Sequence, residues 1–67
     1  MSVAKIIEVK ASSPKSFEDA IKEGLARTGK TVKHITSAWI KEQEVNVDKD
    51  GKVNEYRVLM KVTFLVE

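Results

Sequence analysis

Residues 53–66 show a long alternation of apolar and other residues, and few folds can accommodate it. Apolar residues recur there at every second position, and many are β-branched or aromatic, which is typical of a β-strand. One face would carry Tyr56, Val58, Met60, Val62, Phe64 and Val66. The other face would carry Arg57, Leu59, Lys61, Thr63 and Leu65. The pattern therefore predicts a strand that has apolar side chains on both faces.

Two more segments have strand patterns. Residues 3–11 alternate and predict a first strand, and residues 37–48 predict a long second strand. In the second strand Ala38 and Ile40 have one parity and Val45 has the other, and a β-bulge would explain this change of face. The stretch 48–51 (Asp-Lys-Asp-Gly) is typical of a tight turn, because Gly51 can adopt a positive φ. Residues 37–66 are thus predicted to form a hairpin.

The first two strands are separated by a segment with helical spacing. Ser13 is the predicted N-cap, and Pro14 suits the first turn, where its missing N–H is not needed. Ser16 followed by Asp19 is an alternative start that resembles a capping box. One face of this helix would carry Phe17, Ala20, Ile21 and Leu25.

Two glycines give the end and the packing of the helix. Gly29 is the predicted C-cap. Gly24 is unfavourable inside a helix, so it predicts a close approach by a neighbouring element. The resulting order is β-α-β-β, an α+β fold in one domain over residues 1–67, with one helix covering one face of a three-stranded sheet.

The short chain and its composition predict assembly. A chain of 67 residues buries only about 60% of its unfolded surface, so small folds usually add disulfides, a metal or partner subunits. There is no Cys, and His34 is the only His, so disulfides and a Cys/His zinc site are excluded. The second sheet face has no element to cover it, although it carries Ile6, Trp39, Leu59 and Leu65. We therefore expect a homo-oligomer.

The distribution of charge argues against nucleic acid as a partner. The net charge is +2, from 12 basic and 10 acidic residues that are interleaved along the chain. Binding to nucleic acid usually requires a clustered basic surface, so we expect no binding to nucleic acid.

No signal peptide and no apolar run that could span a membrane are recognised, and the lack of Cys fits a reducing compartment. The expected location is the cytoplasm.

No catalytic set can be recognised. A nucleophile with a base, paired carboxylates or a metal site would be required, and the chain offers none of these at a recognisable spacing. We therefore predict that the protein is not an enzyme, and that it has no catalytic residues and no metal-ligating side chains.

Residues 46–51 match half of a calcium loop, but the twelfth position is Arg57 and not a bidentate Glu. A hairpin turn is the favoured interpretation, and a cation site completed by an oligomer is the alternative.

Trp39 is the only Trp. In a strand it is usually a core or interface residue. The functional alternative is a stacking platform for a planar ligand.

The chain resembles the dodecin family over nearly its whole length, in residues 12–14, 17–20, 24–27, 30–32, 51–56 and 61–64. The resemblance implies a hollow shell of twelve subunits, each with its sheet wrapped around its helix. It also implies storage of a flavin (riboflavin, FMN or FAD), which many members of the family bind between symmetry-related subunits and stack on a Trp.

Two positions depart from the flavin-binding pattern. Ser37 stands where the family has its stacking Trp, and Arg57 stands where a Gln bonds the isoalloxazine edge. Trp39 lies two residues beyond Ser37 and hence on the same side of an unbulged strand. The predicted cofactor-binding residues are therefore Ser37, Trp39 and Arg57, with Trp39 stacking on the flavin and Arg57 donating hydrogen bonds to its carbonyls.

A second hypothesis follows from the same resemblance. Residues 42–43, 47–48, 51–52 and 56–57 are similar to a branch of dodecins described as calcium-associated and poor in flavin binding. The alternative function is a flavin-free dodecameric shell that binds cations such as calcium or acts as a scaffold.

Overall fold

The structure is a computed structural model that describes residues 2–66. It contains β1 (Val3–Ser13), α1 (Phe17–Thr28), β2 (Ile35–Val47) and β3 (Val53–Val66). The three strands form one antiparallel sheet in the order β1-β3-β2. The predicted β-α-β-β order and α+β class are confirmed. In the part of the chain that is described, no helix is long and apolar enough to cross a bilayer.

The core lies between α1 and one face of the sheet. Its buried apolar residues are Ala20 of α1 and Val58, Met60 and Val62 of β3. These three β3 residues share one parity, as the alternation predicts. Because directly paired residues of neighbouring strands point to the same side of a sheet, the register assigns every strand residue to a face.

The sheet face opposite α1 is called the open face below. It consists of the odd-numbered residues 55–65 of β3 and the residues paired directly with them on β1 and β2. The predicted uncovered residues all belong to it, namely Ile6, Trp39, Leu59 and Leu65.

A β-bulge in β2 explains the change of parity in that strand. Ile40 pairs with Met60 and Glu42 pairs with Leu59, so Lys41 is an extra residue between two adjacent pairs. After it, Val45 lies on the same side as Ile40. The predicted bulge is confirmed, and β2 begins two residues earlier than predicted.

The predicted N-cap was wrong. Ser13 is the last residue of β1 and pairs with Tyr56, because the strand continues two residues farther than predicted. The helix is capped by Ser16, whose hydroxyl accepts a hydrogen bond from the Asp19 N–H at 2.9 Å. Pro14 therefore precedes the helix and does not lie in its first turn.

Ser13 has a different role at this corner. It is 3% exposed, and its hydroxyl donates to the Asp19 carboxylate at 2.6 Å and accepts from the Lys15 N–H at 2.9 Å. A hydrogen bond from a hydroxyl to a carboxylate is shorter and stronger than one between two neutral groups. It ties the end of β1 to the first turn of α1.

The predicted roles of the two helix glycines are confirmed. Gly29 is the C-cap, and its N–H donates to the Leu25 carbonyl at 2.9 Å. Its φ of −64° does not require glycine. A Cβ on Gly24 would lie 2.8 Å from Cβ of Ala11 and 2.9 Å from Cε of Met60, so this residue sets how closely α1 approaches the sheet.

Candidate functional site

Trp39 lies on the open face of β2, which is an edge strand. Its side chain is 64% exposed, which makes it the most exposed of the large hydrophobic residues in the described chain. The pairs Ser37–Thr63, Ala38–Val62 and Trp39–Lys61 follow one another without a register shift. Ser37 and Trp39 are therefore neighbours on one side of an unbulged stretch, as the sequence predicts.

Lys61 is a functional candidate that the sequence reasoning missed. It pairs directly with Trp39, and its Nζ lies 5.8 Å from the centroid of the Trp39 ring, within the range of a cation–π contact. On its other side Lys61 pairs with Glu8 of β1. Trp39, Lys61 and Glu8 thus form one row across the three strands of the open face.

The surroundings of this row are partly apolar. The next row consists of Ser37, Thr63 and Ile6, and Leu65 lies beyond it on β3. Ile6 is 61% exposed and Leu65 is 39% exposed. An exposed Trp beside exposed aliphatic side chains can support the face of a planar ring, while Lys61, Ser37 and Thr63 can supply polar contacts.

Arg57 lies on the same face but far from Trp39. It is four residues from Lys61 along β3, which corresponds to about 13 Å. Its Nε lies 3.7 Å from Oε1 of Glu55, and the same oxygen accepts a hydrogen bond from the Asn46 amide at 2.9 Å. Within this chain, the structure brings Ser37 and Trp39 together but does not bring Arg57 to them.

A shallow groove of about 450 Å³ surrounds Arg57. Its side walls carry both signs of charge, and they are formed on the open face by Lys10, Ser12, Glu42, Glu44, Arg57 and Leu59. Along the strand direction, the open face thus has a partly apolar half around Trp39 and a charged half around Arg57.

The calcium-loop segment is a hairpin turn, as favoured from the sequence. Oδ1 of Asp48 accepts hydrogen bonds from the Asp50 N–H at 2.9 Å and the Lys52 N–H at 3.0 Å. Gly51 has a φ of 83°. Within residues 2–66 there is no group of three or more His, Cys, Asp or Glu side chains that could hold a metal ion.

The chain is a small α+β domain whose antiparallel sheet is covered by one helix on one side and bears an exposed Trp on the other. The chain belongs to the dodecin family, whose family model, described as Dodecin, matches residues 3–67.

Two relatives illustrate the similarity. Calcium dodecin from Mycobacterium tuberculosis is 39% identical over 64 residues, covering 96% of this chain and 89% of the relative. Its crystal structure, of a calcium-chelating immunodominant antigen with a novel calcium-binding site, has a TM-score of 0.84 at 36% identity and covers 98% of this chain and 93% of that one. Dodecin from Thermus thermophilus is 35% identical over 65 residues, covering 97% of this chain and 93% of the relative. The structure of a variant of it has a TM-score of 0.92 at 34% identity, covering 100% of this chain and 98% of that one.

Proposed function

We propose that this chain is the subunit of a hollow homododecamer that binds and stores a flavin (riboflavin, FMN or FAD) on the open face. The observation that carries the proposal is the exposed indole of Trp39, which lies on a sheet face that no element of the described chain covers. Aromatic rings prefer to stack in offset arrangements, and the isoalloxazine ring is a planar partner for this indole. The proposal includes a cytoplasmic location and no catalytic activity.

The position of Ser37 supports its proposed role more directly than the position of Arg57 does. Ser37 is adjacent to Trp39 on the same face and can donate or accept a hydrogen bond at the edge of a stacked ring. Arg57 is about 13 Å from the Trp39 row along β3. We propose that Arg57 bonds the ring that Trp39 supports from another subunit of the assembly, because the two residues of one chain are this far apart on the sheet.

Fluorescence tests the flavin proposal directly. Trp39 is the only Trp, so its emission reports on the site itself. We expect riboflavin at micromolar concentration to quench the emission of Trp39 and to lose its own fluorescence in parallel. Trp39→Ala should weaken binding by about twofold to tenfold, because the stacking of one ring contributes about 0.5–1.5 kcal/mol beyond burial.

The matched control is Trp39→Phe, which keeps an aromatic ring and should retain most of the affinity. Wild-type protein that leaves riboflavin fluorescence unchanged would rule out the flavin proposal. A Trp39→Ala variant that binds as tightly as wild type would rule out the stacking role of Trp39.

Calcium is the second candidate ligand. The observation that favours it is the 39% identity to a relative named calcium dodecin. The described residues of one subunit hold no cluster of carboxylates at metal-binding distance, so a calcium ion would need oxygens from more than one subunit or from the backbone. Glu42 and Glu44 in the charged groove are the carboxylates that such an arrangement could share.

Calorimetry separates the two candidates. Calcium titrated into the assembled protein should release or absorb heat with a fixed stoichiometry, and it should raise the melting temperature more than magnesium does. Glu42→Gln combined with Glu44→Gln should abolish this difference. Equal effects of the two ions would exclude a calcium-selective site, and no heat of binding for calcium would exclude a calcium site.

A further inference from the structure

The tip of the hairpin between β2 and β3 contains a carboxylate that is followed directly by a glycine, at Asp50 and Gly51. Both residues are exposed. Within residues 2–66 no hydrogen bond or ion pair holds the Asp50 carboxylate. A Cβ built on Gly51 would meet no atom within 4 Å, so no neighbouring side chain crowds this residue. The carboxylate of Asp50 is therefore free to move towards the next peptide group.

A carboxyl group in this position can react with the amide that follows it. The Gly51 nitrogen attacks Cγ of Asp50 and forms an N–Cγ bond, which closes a five-membered imide ring. One carboxyl oxygen leaves as water with the amide proton and the carboxyl proton. Water then opens the ring again. Hydrolysis of the N–Cγ bond restores Asp50, whereas hydrolysis of the bond between this nitrogen and the Asp50 backbone carbonyl carbon leaves a β-linked aspartate.

We propose that Asp50 is a site of spontaneous isomerisation to β-linked aspartate, and that Asp48 controls the rate by holding the turn closed. The Gly51 N–H donates to the Asp48 carbonyl at 2.9 Å, and the Asp48 N–H donates to the Lys52 carbonyl at 2.8 Å. Oδ1 of Asp48 also accepts the N–H groups of Asp50 and Lys52. Four hydrogen bonds of this turn thus involve Asp48.

The first of these hydrogen bonds bears directly on the reaction. The Gly51 nitrogen has to lose its proton to attack Cγ, and in the closed turn that proton is bonded to the Asp48 carbonyl. Ring closure therefore proceeds from an open turn, and exposed hairpin tips open locally at a far lower free energy than the whole fold. The rate in the folded protein is the rate in the unfolded chain multiplied by the fraction of open turns.

The other aspartates of the described chain lack this combination. The Asp48 carboxylate is engaged by two N–H groups and is followed by Lys49. The Asp19 carboxylate accepts a hydrogen bond from Ser13 and lies in α1. Isomerisation is therefore expected at Asp50 alone. Because the β link adds one carbon atom to the backbone inside the turn, the modified chain should no longer match the spacing of the hydrogen bonds to Asp48.

Wild-type protein provides the first test. The assembled protein and a sample in denaturant are kept at neutral pH, and peptide mapping measures β-linked Asp50 over time. Hydrogen exchange gives the protection factor of the Gly51 N–H in the assembled protein. We expect the ratio of the two isomerisation rates, unfolded to folded, to equal this protection factor, because both processes require the same opening. Folded protein that isomerises as fast as unfolded protein, although this N–H is protected, would refute the proposal. An unfolded chain that forms no β-linked Asp50 would also refute it.

Three variants test the role of Asp48. Asp48→Ala removes the two side-chain hydrogen bonds, so it should raise the rate in the folded protein about tenfold and leave the rate in denaturant unchanged. Asp48→Asn keeps the Oδ1 acceptor and should react at the wild-type rate. Asp50→Glu should give no product, because its ring would need six members. Equal rates for Asp48→Ala and wild type in the folded state would show that Asp48 does not protect the turn.

A further measurement separates opening of the turn from unfolding of the whole chain. Val62 lies in the core, far along β3 from the turn. Its amide should exchange at the same rate in Asp48→Ala and in wild type if only the turn opens more often. Faster exchange of Val62 by the same factor as Gly51 would mean that Asp48→Ala acts through global stability, and that local control by Asp48 is wrong.

Discussion

At the scale of single residues, Gly24 shows how a local cost is offset by packing. Glycine in a helix costs about 1 kcal/mol relative to alanine. Here it lets α1 approach the sheet so closely that an added Cβ would lie 2.8 Å from Cβ of Ala11. That carbon is attached directly to the backbone of β1 and cannot rotate away, whereas Cε of Met60 at 2.9 Å is the end of a flexible side chain.

Gly24→Ala is therefore expected to destabilise the protein. Overpacking costs about 1–3 kcal/mol, which exceeds the gain of about 1 kcal/mol in helix propensity. Chemical denaturation at a fixed protomer concentration measures the difference. Ala26→Gly, at an exposed position of the same helix, isolates propensity and should destabilise by about 1 kcal/mol. An increase in stability for Gly24→Ala would show that propensity outweighs the contact.

The site residues also show how far sequence reasoning extends at this scale. That Ser37 and Trp39 share a face could be predicted, because the alternation of a strand is local. The contact between Trp39 and Lys61 could not, since it depends on which residues of β2 and β3 are paired. The hairpin contains three register shifts, so the residue opposite Trp39 cannot be found by counting residues outward from the turn.

At the scale of elements, the β2–β3 hairpin depends on its turn. Gly51 has a φ of 83°, and a Cβ added there would meet no atom within 4 Å. The backbone conformation alone therefore requires glycine at this position. Asp48 completes the turn by accepting the N–H groups of Asp50 and Lys52.

Gly51→Ala should destabilise the fold by about 1 kcal/mol, because a left-handed conformation costs an L-residue about 1–2 kcal/mol. The free energy of unfolding from denaturant titration gives the value. Gly51→Asn is the matched variant, since Asn tolerates this region, and it should lose clearly less. Equal losses for both variants would mean that the turn does not depend on the φ of this residue.

At the scale of the whole molecule, the chain is more extended than a compact domain of its length. Its radius of gyration is 13.8 Å, compared with about 11 Å for a compact domain of this length. Its accessible surface is 5081 Å², compared with about 4,200 Å² for a folded monomer of this mass. Within residues 2–66 the core cluster contains four buried apolar residues, and the proposed assembly would add the burial that a single chain lacks.

Ile6→Glu tests the assembly. Ile6 is 61% exposed in the subunit, so the substitution would cost little if the chain were a monomer. In an assembly that covers the open face, a charge without a partner should cost at least about 3 kcal/mol, or about a hundredfold in association. Sedimentation should show wild type near twelve chains of 7.5 kDa, about 90 kDa, and the variant as smaller species.

Ala26→Glu is the matched control, because it adds the same acidic side chain to the exposed surface of α1. It should leave the sedimentation of the particle unchanged if the open face is the interface. A wild-type protein that sediments as a monomer would contradict the proposed assembly. An Ile6→Glu particle of unchanged size would show that the open face is not an interface.

Local patterns predict the elements, the faces of the strands, the bulge and the turn, because each of these follows from residues close together in the chain. The position of β3 between β1 and β2, the helix cap at Ser16 instead of Ser13, and the contact between Lys61 and Trp39 come from tertiary pairing. Ser13 is held by its pairing with Tyr56, 43 positions away in the sequence. Pairing over such separations depends on the whole sheet, and local patterns carry no record of it.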